Sequence, residues 1–201
     1  AIKFLLSSNI GEILTVFSGI IFGYSAPLTA IELLWINLVT DSLPAIALGL
    51  DPYDKDIMKK PPRPKNQGLF YGGLWGSIVI EGLMIGALAL LAFSIGRSIF
   101  DDFITGQTMA FAVLSISQLV HAFNMRSEHS VIKAGLFKNK YLILSFIIGL
   151  IFEVCVIQIP VIAQIFGVVP LNCLQWIIIS ILSVMPLVLV ELQKLFSSKH
   201  T

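Results

Sequence analysis

Charge is scarce in this chain. Asp, Glu, Lys and Arg make up 12% of its 201 residues against 56% hydrophobic ones, too few to cover the surface of a water-soluble domain. Cysteine and histidine are rarer still, at two and three residues. Cys155 and Cys173 stand in apolar runs with no metal-ligand spacing, which excludes a disulfide scaffold and a zinc centre and leaves them as packing residues. The formal net charge is +1, and the basic residues are scattered, so nothing here fits a nucleic-acid partner. There is no low-complexity segment and no convincing internal repeat. The first apolar stretch carries Ser7-Ser8-Asn9 at its centre and lacks a cleavage site, so it is no signal peptide. The chain opens on Ala1 and enters an apolar segment almost at once, which reads as a fragment of a longer polypeptide.

What is abundant is the long apolar run. Stretches of about 20 apolar residues, the length that crosses a bilayer as a helix, recur at about 3–22, 31–50, 69–95, 107–125, 141–160 and 172–192. The expected fold is all-α, a polytopic membrane bundle of six transmembrane helices spanning residues 1–201 with no room for a soluble domain. Twelve of the thirteen Lys and Arg fall at the N-terminus, in two alternate loops and at the C-terminus, and only Arg97 falls on the other side. The positive-inside rule therefore predicts both termini in the cytoplasm.

Against this background, polar residues inside the spans stand out. Asn37, Thr40 and Asp41 interrupt the run Leu33–Pro44 and share one helical face. A carboxylate near the bilayer midplane costs roughly 2.5–3.5 kcal/mol on insertion scales and is seldom kept there without a role. Pro44 offers no N–H to the Thr40 carbonyl and clashes with it, so the helix is expected to kink or open there. In the first span Asn9 and Glu12 share a face, with Gly11 leaving space beside them. Carboxylates, amides, a hydroxyl and a freed carbonyl form a donor set for a hard cation, and the count favours Ca²⁺, which takes 6–8 oxygens; Mn²⁺ fits the same donors. The plainer alternative is interhelical hydrogen bonding that holds a bundle together.

Other polar positions have weaker claims. Glu81 lies among Gly72, Gly76, Gly82 and Gly86, whose spacing marks close helix packing. Glu153 calls for a partner on a facing helix. Ser115, Gln118 and His121 form a stripe on the fourth span, readable as a structural inward face or, for Gln118, as a ligand position. Glu32 and Glu191 lie near span ends and read as interfacial; Asp101 and Asp102 read as an exposed loop without function. The proline-rich segment 51–65 reads as a stiff connection suited to docking on a cytoplasmic domain.

The stretches Ser7–Glu12, Leu33–Ala45 and Asp56–Arg63 closely resemble the P-type calcium pumps of the sarco/endoplasmic-reticulum and secretory-pathway kind, over the last six membrane helices of that family. The resemblance implies that Asn9, Glu12, Asn37, Thr40 and Asp41 are calcium ligands. The register set by Ala122-Phe-Asn124 puts Gln118 where two-ion pumps carry a glutamate. That departure weakens a second dication site and leads us to expect one Ca²⁺ per cycle, with protons exchanged on Glu12 and Asp41. The family's Asp-Lys-Thr-Gly-Thr phosphorylation motif and Pro-Glu-Gly-Leu motif do not occur in the 201 residues. The fragment alone is therefore expected not to hydrolyse ATP. Mg²⁺ and ATP would belong to cytoplasmic domains of the same polypeptide, its partners together with the N-terminal helices and the lipid bilayer. The expected activity is ATP-driven export of Ca²⁺ from the cytoplasm, across a bacterial plasma membrane or alternatively an endoplasmic-reticulum or Golgi membrane. The alternative is a freestanding cation channel or ion-coupled carrier that uses the same carboxylates without ATP.

Overall fold

A computed structural model describes residues 1–23, 26–51, 74–126 and 138–197, and no strand occurs among them. Among the described residues, six helical segments are long and apolar enough to cross a membrane. The first is α1 (Ile2–Ile21). The second is composite: α2 (Ala30–Trp35), a π-helical turn (Ile36–Asp41) and α3 (Ser42–Gly49). Then come α4 (Leu74–Ile99), α5 (Phe103–Asn124) and α6 (Lys140–Gln158), a short α7 (Pro160–Phe166), and α8 (Cys173–Ser197).

The bundle is built around α5. Almost every side chain of this helix from Thr105 to Ala122 is buried, and α4, α6, α8 and the π-helical turn all pack against it. Lipid is as apolar as leucine, so close packing and internal hydrogen bonds must supply the cohesion. Both are evident at α5. At one end, Gln107 Nε2 donates to the Ala26 carbonyl at 3.1 Å and Thr108 Oγ1 accepts from Val169 N at 3.1 Å. At the other, Asn124 Nδ2 donates to the Pro186 carbonyl at 3.2 Å, and Lys194 Nζ donates to the Asn124 carbonyl at 3.1 Å. Nearby, Asp51 accepts from Arg126 Nε and from Asn139 Nδ2 (2.9 Å), tying the ends of α3, α5 and α6 together.

Glycine allows α1 and α4 to approach backbone to backbone. A Cβ at Gly82 would sit 2.6 Å from Ile10 Cγ2 and 2.9 Å from the Ser7 carbonyl, and one at Gly86 would sit 3.0 Å from the Gly11 carbonyl. The packing expected of the glycine series therefore holds at Gly82 and Gly86. Gly76 has nothing within 4 Å, because it lies near the start of α4, before the two helices meet; Gly72 lies outside the described residues.

One expectation is corrected and one is extended. Glu32, read as interfacial, is fully buried. It sits in the first turn of α2, where its carboxylate accepts from Thr29 N at 2.5 Å while Thr29 Oγ1 accepts from Glu32 N at 3.3 Å. That reciprocal capping box ties the side chain to the helix start. Asp102 lies exposed and outside any helix, as expected of a loop residue, and its side chain also caps the helix that follows. Its carboxylate accepts from Thr105 Oγ1 at 2.6 Å and from Thr105 N at 2.8 Å, opening α5. The helix before it runs to Ile99, because nothing ahead of the Asp101-Asp102 pair stops it. The segment 52–65 lies outside the described residues.

Two measurements test this packing. Gly82→Ala should destabilise the protein by about 1–3 kcal/mol, the usual cost of overpacking, whereas Gly76→Ala should be near neutral; thermal unfolding of the purified protein in detergent distinguishes them. The hydrogen bonds from the Thr105 side chain and then its backbone hold the Asp102 carboxyl below the usual aspartate range. A folded-state pKa lowered in this way adds stability above the ordinary aspartate value and loses it as pH falls through the lowered one. Asp102→Ala should therefore cost about 1 kcal/mol at neutral pH, and the difference from the parent should vanish in acid.

Candidate cation site

The second span opens where Pro44 requires. Proline at that position cannot donate to the carbonyl of Thr40, and the chain widens to π geometry over Ile36–Asp41, just before it. Side-chain hydroxyls support the widened turn: Ser42 Oγ donates to the Asn37 carbonyl at 2.9 Å and Thr40 Oγ1 to the Ile36 carbonyl at 2.8 Å. Such single-turn widenings recur at functional sites. Here the turn carries Asn37, Thr40 and Asp41.

Glu12 of α1 meets this turn. Its Oε2 accepts from Asn37 Nδ2 at 2.7 Å and its Oε1 from Gln118 Nε2 of α5 at 3.3 Å. Asp41 lies near enough to Glu12 for the two charges to act on one another, with Ser8 as its neighbour on α1. Neither Asp41 oxygen makes a well-formed hydrogen bond, nor does Ser8 Oγ or Gln118 Oε1. Asp41 is 1% exposed and Glu12 5%. An anion so deeply buried, with unmet oxygens, is expensive in any membrane protein. Two carboxylates, a hydroxyl and an amide oxygen thus converge in one place, and among the described residues no basic side chain is bonded to them. That arrangement suits a hard, oxygen-seeking cation.

Not every expected ligand joins the cluster. Asn9 gives its amide hydrogen to the Leu5 carbonyl of its own helix at 2.7 Å. Thr40 is buried, but its hydroxyl is engaged by the Ile36 carbonyl. Asn37 does join, through its bond to Glu12, but unlike Asp41 it is exposed. Among the described residues no three acidic, histidine or cysteine side chains gather as a metal cluster; the site has two carboxylates, and neutral groups complete it.

The remaining intramembrane carboxylates are partnered differently. Glu81 is paired with Lys3 Nζ at 2.6 Å and faces His121 Nε2 at 3.4 Å, and His121 Nδ1 in turn lies 3.4 Å from Asn124 Nδ2. Trp35 Nε1 donates to Glu153 Oε2 at 3.1 Å. In the sequence Lys3 reads only as a topogenic charge. Its spacing from Glu81 along the chain hides the pairing, which depends on the glycine-mediated contact of α1 with α4.

The described residues thus form a six-helix membrane fold with a buried carboxylate pair between its first two spans and a central helix. Sequence comparison makes the family explicit. The family model described as "Cation transporting ATPase, C-terminus" matches residues 25–196. The chain is 44% identical to Calcium-transporting ATPase 1 of Bacillus cereus over 97% of its own length, and 38% identical to the Calcium-transporting ATPase of Bacillus subtilis over 92%. It is 27% identical over 87% to the endoplasmic reticulum calcium ATPase srcA of Aspergillus fumigatus. The chain belongs to the cation-transporting ATPase C-terminal family. It spans 24% of the Bacillus cereus relative and 21% of each of the other two.

Proposed function

We propose that residues 1–201 are the C-terminal transmembrane domain of an ATP-driven calcium pump, supplying part of its ion-binding site and exporting Ca²⁺ from the cytoplasm. The carrying observation is the buried meeting of Glu12 and Asp41, from different spans, with neither Asp41 oxygen in a well-formed hydrogen bond. The names of the relatives support calcium as the cargo. In this reading Glu12 and Asp41 bring the negative charge, while Asn9, Asn37, Thr40 and Gln118 bring neutral oxygens. Asn9 and Asn37 would turn their amide oxygens to the ion. The Glu12–Asn37 and Glu12–Gln118 hydrogen bonds would then be exchanged for metal–oxygen bonds.

One Ca²⁺ per cycle follows from the charge. Two carboxylates neutralise one dication, and Gln118 contributes none, so a second dication would enter a low-dielectric site without compensation. When the ion departs, protons on Glu12 and Asp41 would balance the charge left behind. ATP and Mg²⁺ act in cytoplasmic domains of the same polypeptide, and both termini of this domain face the cytoplasm. The host membrane is a bacterial plasma membrane in this reading, in keeping with the two Bacillus relatives.

Calcium-dependent phosphorylation of the full-length protein by ATP tests the reading. Asp41→Asn and Glu12→Gln should each weaken calcium activation by roughly 30-fold or more, as expected when one member of a buried charged contact loses about 2 kcal/mol or more. Ile46→Ala, on an exposed apolar face, should leave it unchanged. Phosphorylation that responds to calcium identically in all three variants overturns the assignment. Stoichiometry has its own test: ⁴⁵Ca²⁺ transported per ATP should be one in the parent, and Gln118→Glu should raise equilibrium calcium binding at saturating concentration. Two ions per ATP in the parent would exclude the single-ion cycle.

A further inference from the structure

The π-helical turn has a defined start as well as a defined end. Pro44 accounts for the end, because it offers no N–H to the Thr40 carbonyl. The residue before the turn supplies the start. The Ile36 N–H still reaches the Glu32 carbonyl, as in an ordinary α-turn, and the widening follows directly after Trp35. Helix α2 is six residues long, and the Thr29–Glu32 capping box holds its first turn. Its last residue, Trp35, is therefore where the span is fixed against its neighbours.

Trp35 is held by α6 and α7 together. Its Nε1–H donates to Glu153 Oε2 at 3.1 Å, across 118 residues of sequence. Phe152, next to Glu153 on α6, packs on the indole with 6.3 Å between ring centroids, and Phe166 of α7 meets it edge-on at 5.2 Å. Ring contacts hold an indole in place but leave its in-plane direction loosely set. An N–H aimed at one carboxyl oxygen removes that freedom, because tryptophan has no other polar side-chain atom. Glu153 is fully buried in mid-helix, where a carboxyl is costly to keep. Among the described residues the indole is the donor bonded to it, and what the structure shows it holding is Trp35.

We propose that Glu153 is a positioning residue for the cation site, acting through Trp35 to fix the point at which the second span widens. This role rests on the reading of Glu12 and Asp41 as ion-binding residues and adds a residue from another helix. The lever is short, since Trp35 precedes Asn37 by two residues and Asp41 by six. With the indole released, the α-helical bonding of α2 can extend past Trp35. An α-turn in place of the π-turn rotates every following side chain about the helix axis. Asn37 would then leave Glu12 Oε2, which it meets at 2.7 Å, and Asp41 would turn with it. Pro44 and the Trp35–Glu153 bond thus bracket the turn, one by withholding a hydrogen bond and the other by forming one. Glu153 supplies an acceptor oxygen; no charge is required of it.

Calcium-dependent phosphorylation of the full-length protein by ATP tests this role, with half-activating calcium and maximal phosphoenzyme measured separately. Glu153→Leu should raise half-activating calcium by roughly 5-fold, the equivalent of one net hydrogen bond, and leave the maximum unaltered. Trp35→Phe, which keeps a ring and removes the donor, should do the same. The double variant should be no worse than either single one, because both remove the same bond. Glu153→Gln retains an acceptor oxygen and should restore the parent's response. Unchanged half-activating calcium in Glu153→Leu overturns the role, as do shifts that add in the double variant or a Glu153→Gln as impaired as Glu153→Leu. If Glu153→Leu does not accumulate, the remaining single variants decide: a shift of that size in Trp35→Phe and none in Glu153→Gln supports the role, and any other pair of results overturns it. A parent that calcium does not activate overturns the calcium reading itself, whereas an activated parent with unmoved variants overturns only the role of Glu153.

Discussion

The structure depends on how buried negative charge is accommodated next to α5. This central helix presents Ser115, Gln118 and His121 at three-residue intervals, and each meets an acidic side chain from a different neighbour: Glu153 of α6, Glu12 of α1 and Glu81 of α4. Three-residue spacing puts these groups on one inclined stripe of the helix. The stripe carries no Lys or Arg and no carboxylate. It can therefore orient carboxylates without cancelling them, and the rest of the bundle determines which ones remain available to an ion.

That division separates the carboxylates by role. Glu81 has a lysine at 2.6 Å and a histidine at 3.4 Å, so its charge is already answered and a cation would have to displace Lys3. Glu12 and Asp41 have no such partner among the described residues, only amides and a nearby hydroxyl. In a low-dielectric interior that distinction outweighs differences in geometry. The pair left electrically incomplete is therefore the candidate for handling an ion, while the lysine-paired glutamate fastens α1 to α4 at the end of the bundle where Lys3 lies.

Much of this is legible in residue order, and the remainder is hidden for identifiable causes. Six apolar runs and the Asn37-Thr40-Asp41 face announce themselves by length and period, and Pro44 announces the opening of the helix, though not its π form. Pairings across the bundle leave no such mark. Lys3 and Glu81 meet because Gly11, Gly82 and Gly86 let two helices touch, and Trp35 reaches Glu153 across a gap of 118 residues. Glu32 misleads because nearness to a span end normally means water. The capping box instead draws its carboxylate inward, onto Thr29. Asp102 is inconspicuous because a loop aspartate and a helix cap differ only in the residues after them, here Thr105.

The composite second span links these features into one mechanical unit. At one end Glu32 is fixed by its cap and Trp35 donates to Glu153; in the middle the π-helical turn carries Asn37 and Asp41 to Glu12; at the other end Asp51, just beyond α3, is held by Arg126 and Asn139. A regular α-helix of this length would transmit any displacement as a rigid rod. A widened turn in the middle changes that, because its backbone bonds are supplemented by the Thr40 and Ser42 hydroxyls, which can re-form with other carbonyls at little cost. The two ends are therefore able to stay anchored to α5 and α6 while the middle adjusts its oxygens around an ion. Local deformability is placed where the candidate oxygens are, and rigidity where the span meets its neighbours.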